Sequence, residues 1–239
     1  MITKFAVKNY RGFADRIEWD LSHPSSYSFN TFAIKDGIVK NGIIYGPNGS
    51  GKSNLALAVF DIILHLTQKA KNPHQFEAII NALHPNDLVS FEYTFRFGTN
   101  IVDYYYSKSI DGIKSEKVVL DGNVVFTLDN NSLTIESLEF PMTEENKKQL
   151  ANSSNKVSVL GYLWSVYPFN SDHPLMKMKE FVEGMLLFWN HEERGFAGLD
   201  EGTTFIEEYI IANDLVDDFS DFLKSVSGQE FKFKAAQKG

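Results

Sequence analysis

Apolar and polar residues alternate most sharply in the middle of this chain. Phe91, Tyr93, Phe95 and Phe97 are separated by Glu92, Thr94 and Arg96, the period of two that a half-buried strand demands. Apolar runs at 100–110, 113–120, 124–128 and 133–138 continue the pattern, with Asp111-Gly112 and Asp121-Gly122 between the first of them. Asp-Gly flanked by apolar runs is a hairpin signal, because both residues tolerate positive φ. Residues 87–140 thus predict an antiparallel β-meander, with its aromatic stripe as sheet core rather than a base-stacking platform.

The segment before the meander, 1–86, predicts a first α/β unit. Residues 2–8 form a strand with Phe5 and Val7 on one face and Lys4 and Lys8 on the other. Asn9 to Phe13 turns the chain, 16–21 returns it, and 22–28 is a loop rich in serine. Ile38 and Val39 lead towards Gly42-Ile43-Ile44-Tyr45, which reads as the end of a buried strand, and 54–66 reads as a helix. A short helix is expected around 75–83, stopped by Pro85. Beyond Pro141, residues 141–239 predict a mainly helical lobe, with helices at 144–150, 157–167, 175–189, 203–212 and 215–226 and a strand beginning at Phe231.

The strongest chemical signal lies between the strand and helix of the first unit. Gly46-Pro47-Asn48-Gly49-Ser50-Gly51-Lys52-Ser53 fits the phosphate-binding loop at every required position. Its glycines let main-chain N–H groups approach an anion, and the following helix, through Asn54, adds its own free N–H groups and positive dipole end. Lys52 is expected to reach the β- and γ-phosphates, and the Ser53 hydroxyl to ligate Mg²⁺. The implied cofactors are ATP and Mg²⁺.

Composition narrows the picture. The chain has 239 residues, no cysteine, 23 Lys and Arg against 31 Asp and Glu, and a net charge of −8. A thiolate metal site and a disulfide framework are therefore excluded. The start of the chain has no apolar signal core and no run is long enough to span a bilayer, so a cytoplasmic protein is expected. Acidic residues crowd 192–221 with only Arg194 to answer them, and no basic stripe points to direct DNA binding.

Other elements of a nucleotide hydrolase are incomplete. Phe196-Ala197-Gly198-Leu199-Asp200-Glu201 approximates a Walker B strand but is interrupted by Gly198, and reads better as a loop leading into a helix. Val226-Ser227-Gly228-Gln229-Glu230 approximates an ABC signature but lacks one glycine, so a Ser-Gly turn is the better reading. Asn146-Lys147-Lys148-Gln149 lacks the acid of a guanine motif, which argues against a GTPase. His65, His74, His84, His173 and His191 have no metal-ligand spacing.

Ile2-x-x-Phe5-x-Val7-x-Asn9-Tyr10-Arg11-Gly12-Phe13, followed by the Gly-Pro-Asn-Gly-Ser-Gly-Lys-Ser loop, resembles the N-terminal half of SMC/RecF-like ABC ATPases. Among these the chain looks most like the OLD-like, AAA-type ATPases of bacterial phage-defence and abortive-infection systems. The resemblance implies a P-loop NTPase fold of the ABC-head type, with an inserted antiparallel lobe and a helical lobe. It implies that Asn48, Gly49, Gly51, Lys52 and Ser53 bind phosphate and Mg²⁺ and that Arg11 contacts a nucleotide phosphate. It also implies a homodimer or higher oligomer and a nuclease or toxin effector as partner. The family's signature helix, Walker B acid and switch histidine fall after residue 239, so an N-terminal part, or a short half that needs a partner, is expected. A RecF-type DNA-repair ATPase clamping duplex DNA, and a nucleotide-binding interaction module without turnover, share the same loop.

Overall fold

The computed structural model describes residues 1–26, 28–67, 79–153, 157–188, 196–197 and 210–230. It is a mixed α/β structure, in which residues 1–198 form one compact unit and 199–239 another. In the first unit, β1 (Ile2–Lys8) and β2 (Ile17–Asp20) precede two short strands, β3 (Ile34–Lys35) and β4 (Ile38–Val39). Helix α1 (Lys52–Thr67) follows, then β5 (Val89–Phe97), β6 (Asn100–Ser109), β7 (Gly112–Leu120), β8 (Asn123–Asp129) and β9 (Ser132–Ile135). Helices α2 (Glu144–Ser153), α3 (Val159–Val166) and α4 (Pro174–Glu183) complete it, with a two-residue ladder between β10 (Leu187–Phe188) and β11 (Phe196–Ala197).

Seven strands form one antiparallel sheet in the order β2-β1-β5-β6-β7-β8-β9. The meander thus shares its sheet with the first strand pair, since Val7 of β1 lies opposite Phe91 of β5. Phe91, Tyr93, Phe95, Val102, Tyr104, Tyr106, Val118 and Phe126 are buried. On β5 the intervening Glu92, Thr94 and Arg96 are only half-buried. There Arg16 forks onto Glu92 at 2.8 and 2.9 Å and Thr94 donates to Asp103 at 2.7 Å. Period-two alternation has produced a sheet with one dry face.

Helices α1, α3 and α4 contribute Ala58, Ile62, Leu160, Leu163, Leu175 and Met178 to the same core, each fully buried. At about 1.5–3 kcal/mol for each large apolar side chain, their burial supplies much of the driving force. Two polar devices orient them. The Glu116 carboxylate on β7 accepts from Tyr104 Oη (2.8 Å), Ser158 Oγ (2.7 Å), Val159 N (2.7 Å) and Leu160 N (3.0 Å), so it caps α3 from the sheet. On α1, Asp61 Oδ2 accepts from Lys108 Nζ (2.5 Å) and Tyr106 Oη (2.8 Å), while Tyr93 Oη donates to the Ala58 carbonyl (3.0 Å). His65 lies face to face with Tyr106, ring centroids 3.8 Å apart, and burial followed by the nearby Lys108 charge holds it neutral.

Three expectations need correction. Gly42 to Tyr45 forms no strand: Ile43, Ile44 and Tyr45 are 77%, 42% and 84% exposed, because no described strand runs beside them. The helix drawn over 175–189 stops at Gly184, whose N–H bonds back to the Glu180 carbonyl, and Leu187 then enters β10. The helix around 75–83 lies partly outside the described residues, and Ile80 makes an isolated β-bridge with Tyr10 instead. The β3–β4 hairpin was not anticipated. Its turn is Asp36-Gly37, with φ of 54° and 72°, the same Asp-Gly signal that marked the meander. In the second unit, α5 (Val216–Ser227) ends on Gly228 in the left-handed region, which makes Ser227-Gly228 a helix cap. Residues 198–209 and 231–239, which hold most of the Walker B approximation and the last expected strand, lie outside the described residues. No helix among the described residues is long and apolar enough to cross a membrane.

The Asp61–Lys108 pair is 6% and 4% exposed, so removing one partner strands a buried charge. Lys108→Ala is expected to cost about 3–5 kcal/mol in urea denaturation, and Asp61→Leu/Lys108→Met to recover more than half of that loss. Equal losses in the single and double variants would show that the pair does not hold α1 to the sheet.

Candidate phosphate-binding site

The predicted loop sits where the helix begins. Residues 46–51 lead directly into α1, whose first residue is Lys52. Gly49 and Gly51 have φ of 81° and 92°, so the backbone uses the left-handed freedom that the motif supplies. Lys52 Nζ bends back to donate to the carbonyls of Gly46 and Pro47, 2.7 Å from each, closing the loop into a ring. Pro47 also accepts from Ser50 N at 3.3 Å. The first N–H groups of a helix have no intrahelical partner, so those of Lys52, Ser53 and Asn54 face the loop end of α1 as free donors. Helix N-terminal amides that follow glycines of positive φ are the kind of donors that suit a phosphate oxygen. Ser53 is exposed at the second position of α1, where its hydroxyl is open to a cation beside that phosphate.

The turn after β1 packs onto this loop. A Cβ built on Gly51 would lie 2.8 Å from Phe13 Cε1, and one on Gly12 would lie 3.4 Å from Asn54 Nδ2. The structure therefore brings Gly12 and Phe13, the residues that follow Arg11, against the 46–53 loop and the start of α1. Asn9 and Arg11 adopt φ of 58° and 46°, a strain the surrounding bonds must hold. Asn9 Nδ2 donates to the carbonyls of His84 and Asp87, both at 3.1 Å, and Arg11 N donates to Ile79 O at 2.7 Å. Asn81 Nδ2 donates to the Arg11 carbonyl. The Arg11 guanidinium lies 5.7 Å from the centre of the Tyr10 ring, a cation–π contact that holds the charge on this turn.

Asn9 and Asn81, which fix the turn, were missed from sequence. Asn9 was read only as the start of a turn, and Asn81 fell inside the expected helix. The carboxylate on α1, Asp61, is engaged by Lys108 and Tyr106 and is not free for a metal at the loop. Among the described residues no group of three or more His, Asp or Glu forms a metal cluster. His65 is packed in the core, and His173 caps α4 by accepting from Leu175 N at 3.2 Å. His74 and His191 lie outside the described residues. Asn146 to Gln149 lie within α2, a helix with no relation to a base-binding loop.

If Phe13 covers Gly51, substitutions at the two positions must couple. Gly51→Ala is expected to lower stability by about 1–3 kcal/mol through its positive φ and the clash. Phe13→Ala relieves the clash but not the φ, so the double variant should fall short of additivity by about 0.5 kcal/mol or more in urea denaturation. Strict additivity would separate the turn from the loop. Compared with family models and with curated proteins, the chain matches none, so the site is argued from its own geometry.

Proposed function

We propose that this chain is the ATP-binding part of an SMC- and ABC-like ATPase, acting as a dimerising sensor or regulator in anti-phage defence. The observation that carries the nucleotide reading is the ring of 46–53, with free amides at its helix end and the Lys52 ammonium across it. A triphosphate would take the amides of Gly49, Gly51, Lys52 and Ser53. Lys52 Nζ would exchange its two carbonyl partners for phosphate oxygens, which are stronger acceptors because they are charged. Mg²⁺, held by the Ser53 hydroxyl, would neutralise charge between the β- and γ-phosphates. Arg11, on the turn whose Phe13 packs on Gly51, would supply a second cation, as the resemblance implies.

Asn48, Pro47 and Ser50 shape the ring rather than supply charge, and Gly46 closes it. The defence role and the nuclease or toxin partner rest on the resemblance of 1–66 to OLD-like ATPases. Oligomerisation belongs to the same resemblance-based reading. Binding without turnover by this chain is favoured by the sequence, whose approximation to a Walker B strand is interrupted by Gly198.

MgATP at about 100 times its Kd is expected to stabilise the chain by about 2.7 kcal/mol, read as a rise of several degrees in Tm. Lys52→Ala should abolish the rise with little change in the Tm of the unliganded protein. Phosphate release by this chain should stay at background. A rise that survives Lys52→Ala, or no rise at all, would contradict the assignment of the loop; turnover lost in Lys52→Ala would contradict the binding-only reading.

A further inference from the structure

A cavity of about 660 Å³ opens on the first unit, and it shares no residue with the 46–53 loop. Its walls come from three separate elements: Lys35, Asp36 and Ile38 from the β3–β4 hairpin, Arg96, Phe97 and Gly98 from the end of β5, and Lys177 from α4. Ile38 is buried and Phe97 half-buried, so they give the cavity an apolar floor with one aromatic ring. Three cationic side chains stand around that floor against one carboxylate, Asp36, in a chain whose net charge is −8.

The cations are placed rather than scattered. The Arg96 guanidinium donates to the Asp36 carbonyl of the hairpin, and Arg96 lines the cavity. Among the described residues Lys177 pairs with Asp172, 3.5 Å away and itself 89% exposed, a contact that water screens. Lys35 is exposed on the hairpin that Asp36-Gly37 turns, and it lines the same cavity. The Met1 amino group lines the same space and donates to the Arg96 carbonyl at 2.8 Å. Burial, and after it the Arg96 charge, holds that amino group below its ordinary pKa.

We propose that this cavity binds a small phosphate-bearing molecule with a flat apolar body, the phosphate held by Lys35, Arg96 and Lys177 and the ring laid against Phe97 and Ile38. The volume lies within the range of small-molecule sites and is too small for a folded partner. A planar anion uses both halves of the lining: a bare phosphate would leave the floor wet, and an apolar ligand would leave three charges unanswered. Arg96 offers forked donors to the phosphate, while Lys35 and Lys177 act as point charges. Because the hairpin, β5 and α4 each supply a cation, an occupied site would draw the three elements together.

The test separates this site from the phosphate loop by using Lys52→Ala as the parent protein. Isothermal titration with AMP, GMP, CMP, UMP and phenyl phosphate as probes, and with adenosine and inorganic phosphate as the stripped halves, reads the affinity. At least one phosphate-bearing ring is expected to bind with Kd below about 1 mM, and each half at least about tenfold more weakly. Lys35→Gln/Lys177→Gln should weaken the binding by about tenfold or more with the Tm of the free protein kept, and Phe97→Leu should weaken the ring-bearing probes but not phosphate. No binding by any ring-bearing probe, equal affinity for a probe and its stripped half, or affinity unmoved by the lysine double variant, would overturn the proposal.

Discussion

A buried ion pair fixes the helix that follows the 46–53 loop. Asp61 and Lys108 meet in the core between α1 and the sheet; Tyr106 donates to Asp61 as well, and Tyr93 donates to the Ala58 carbonyl on the same helix. Hydrophobic packing alone would let α1 slide or roll on a surface of stacked aromatic rings. A charge pair this deep is intolerant of such movement, because losing its geometry exposes each charge to a medium that cannot solvate it. With α1 fixed at its middle, its first turn and the loop before it have a defined position relative to β1. The Glu116 carboxylate does the same for α3, gathering two hydroxyls and two amides at one helix end.

The turn at 9–14 then completes the site from the other side. Its positive-φ residues are held by Asn9 and Asn81 in contact with the segment 79–87, so the chain spends hydrogen bonds to keep a strained turn against the loop. The Phe13 ring explains why Gly51 is required twice over, once for its backbone angle and once for the space its missing side chain leaves. A cationic residue, Arg11, rides on that turn. Loop, lysine and arginine thus come from two distant stretches of sequence and are joined only by the fold.

Much of this was legible beforehand, and the reasons differ by element. The meander announced itself because a sheet with one wet face must alternate, as Phe91 to Phe97 do. The loop was legible because its glycines, Lys52 and Ser53 meet chemical demands at fixed spacing. Gly42 to Tyr45 misled for a physical reason: an apolar run states what a segment would bury, not whether a neighbouring strand is there to bury it. Glu116 and Lys108 were invisible because a charged residue within a strand reads as solvent-facing until its partners, Ser158 and Asp61, are brought in from 42 and 47 residues away. The Asp36-Gly37 turn carried the same signal as the meander turns, but its flanking strands of two residues each are too short to show a period.

A crystal structure of the chain with a non-hydrolysable ATP analogue and Mg²⁺ tests the account most directly. The account places the β- and γ-phosphates within hydrogen-bond reach of the amides of Gly49 to Ser53, with Lys52 Nζ moved from the carbonyls of Gly46 and Pro47 onto phosphate oxygen. An analogue bound elsewhere, with the Lys52 ammonium still on those two carbonyls, would contradict it.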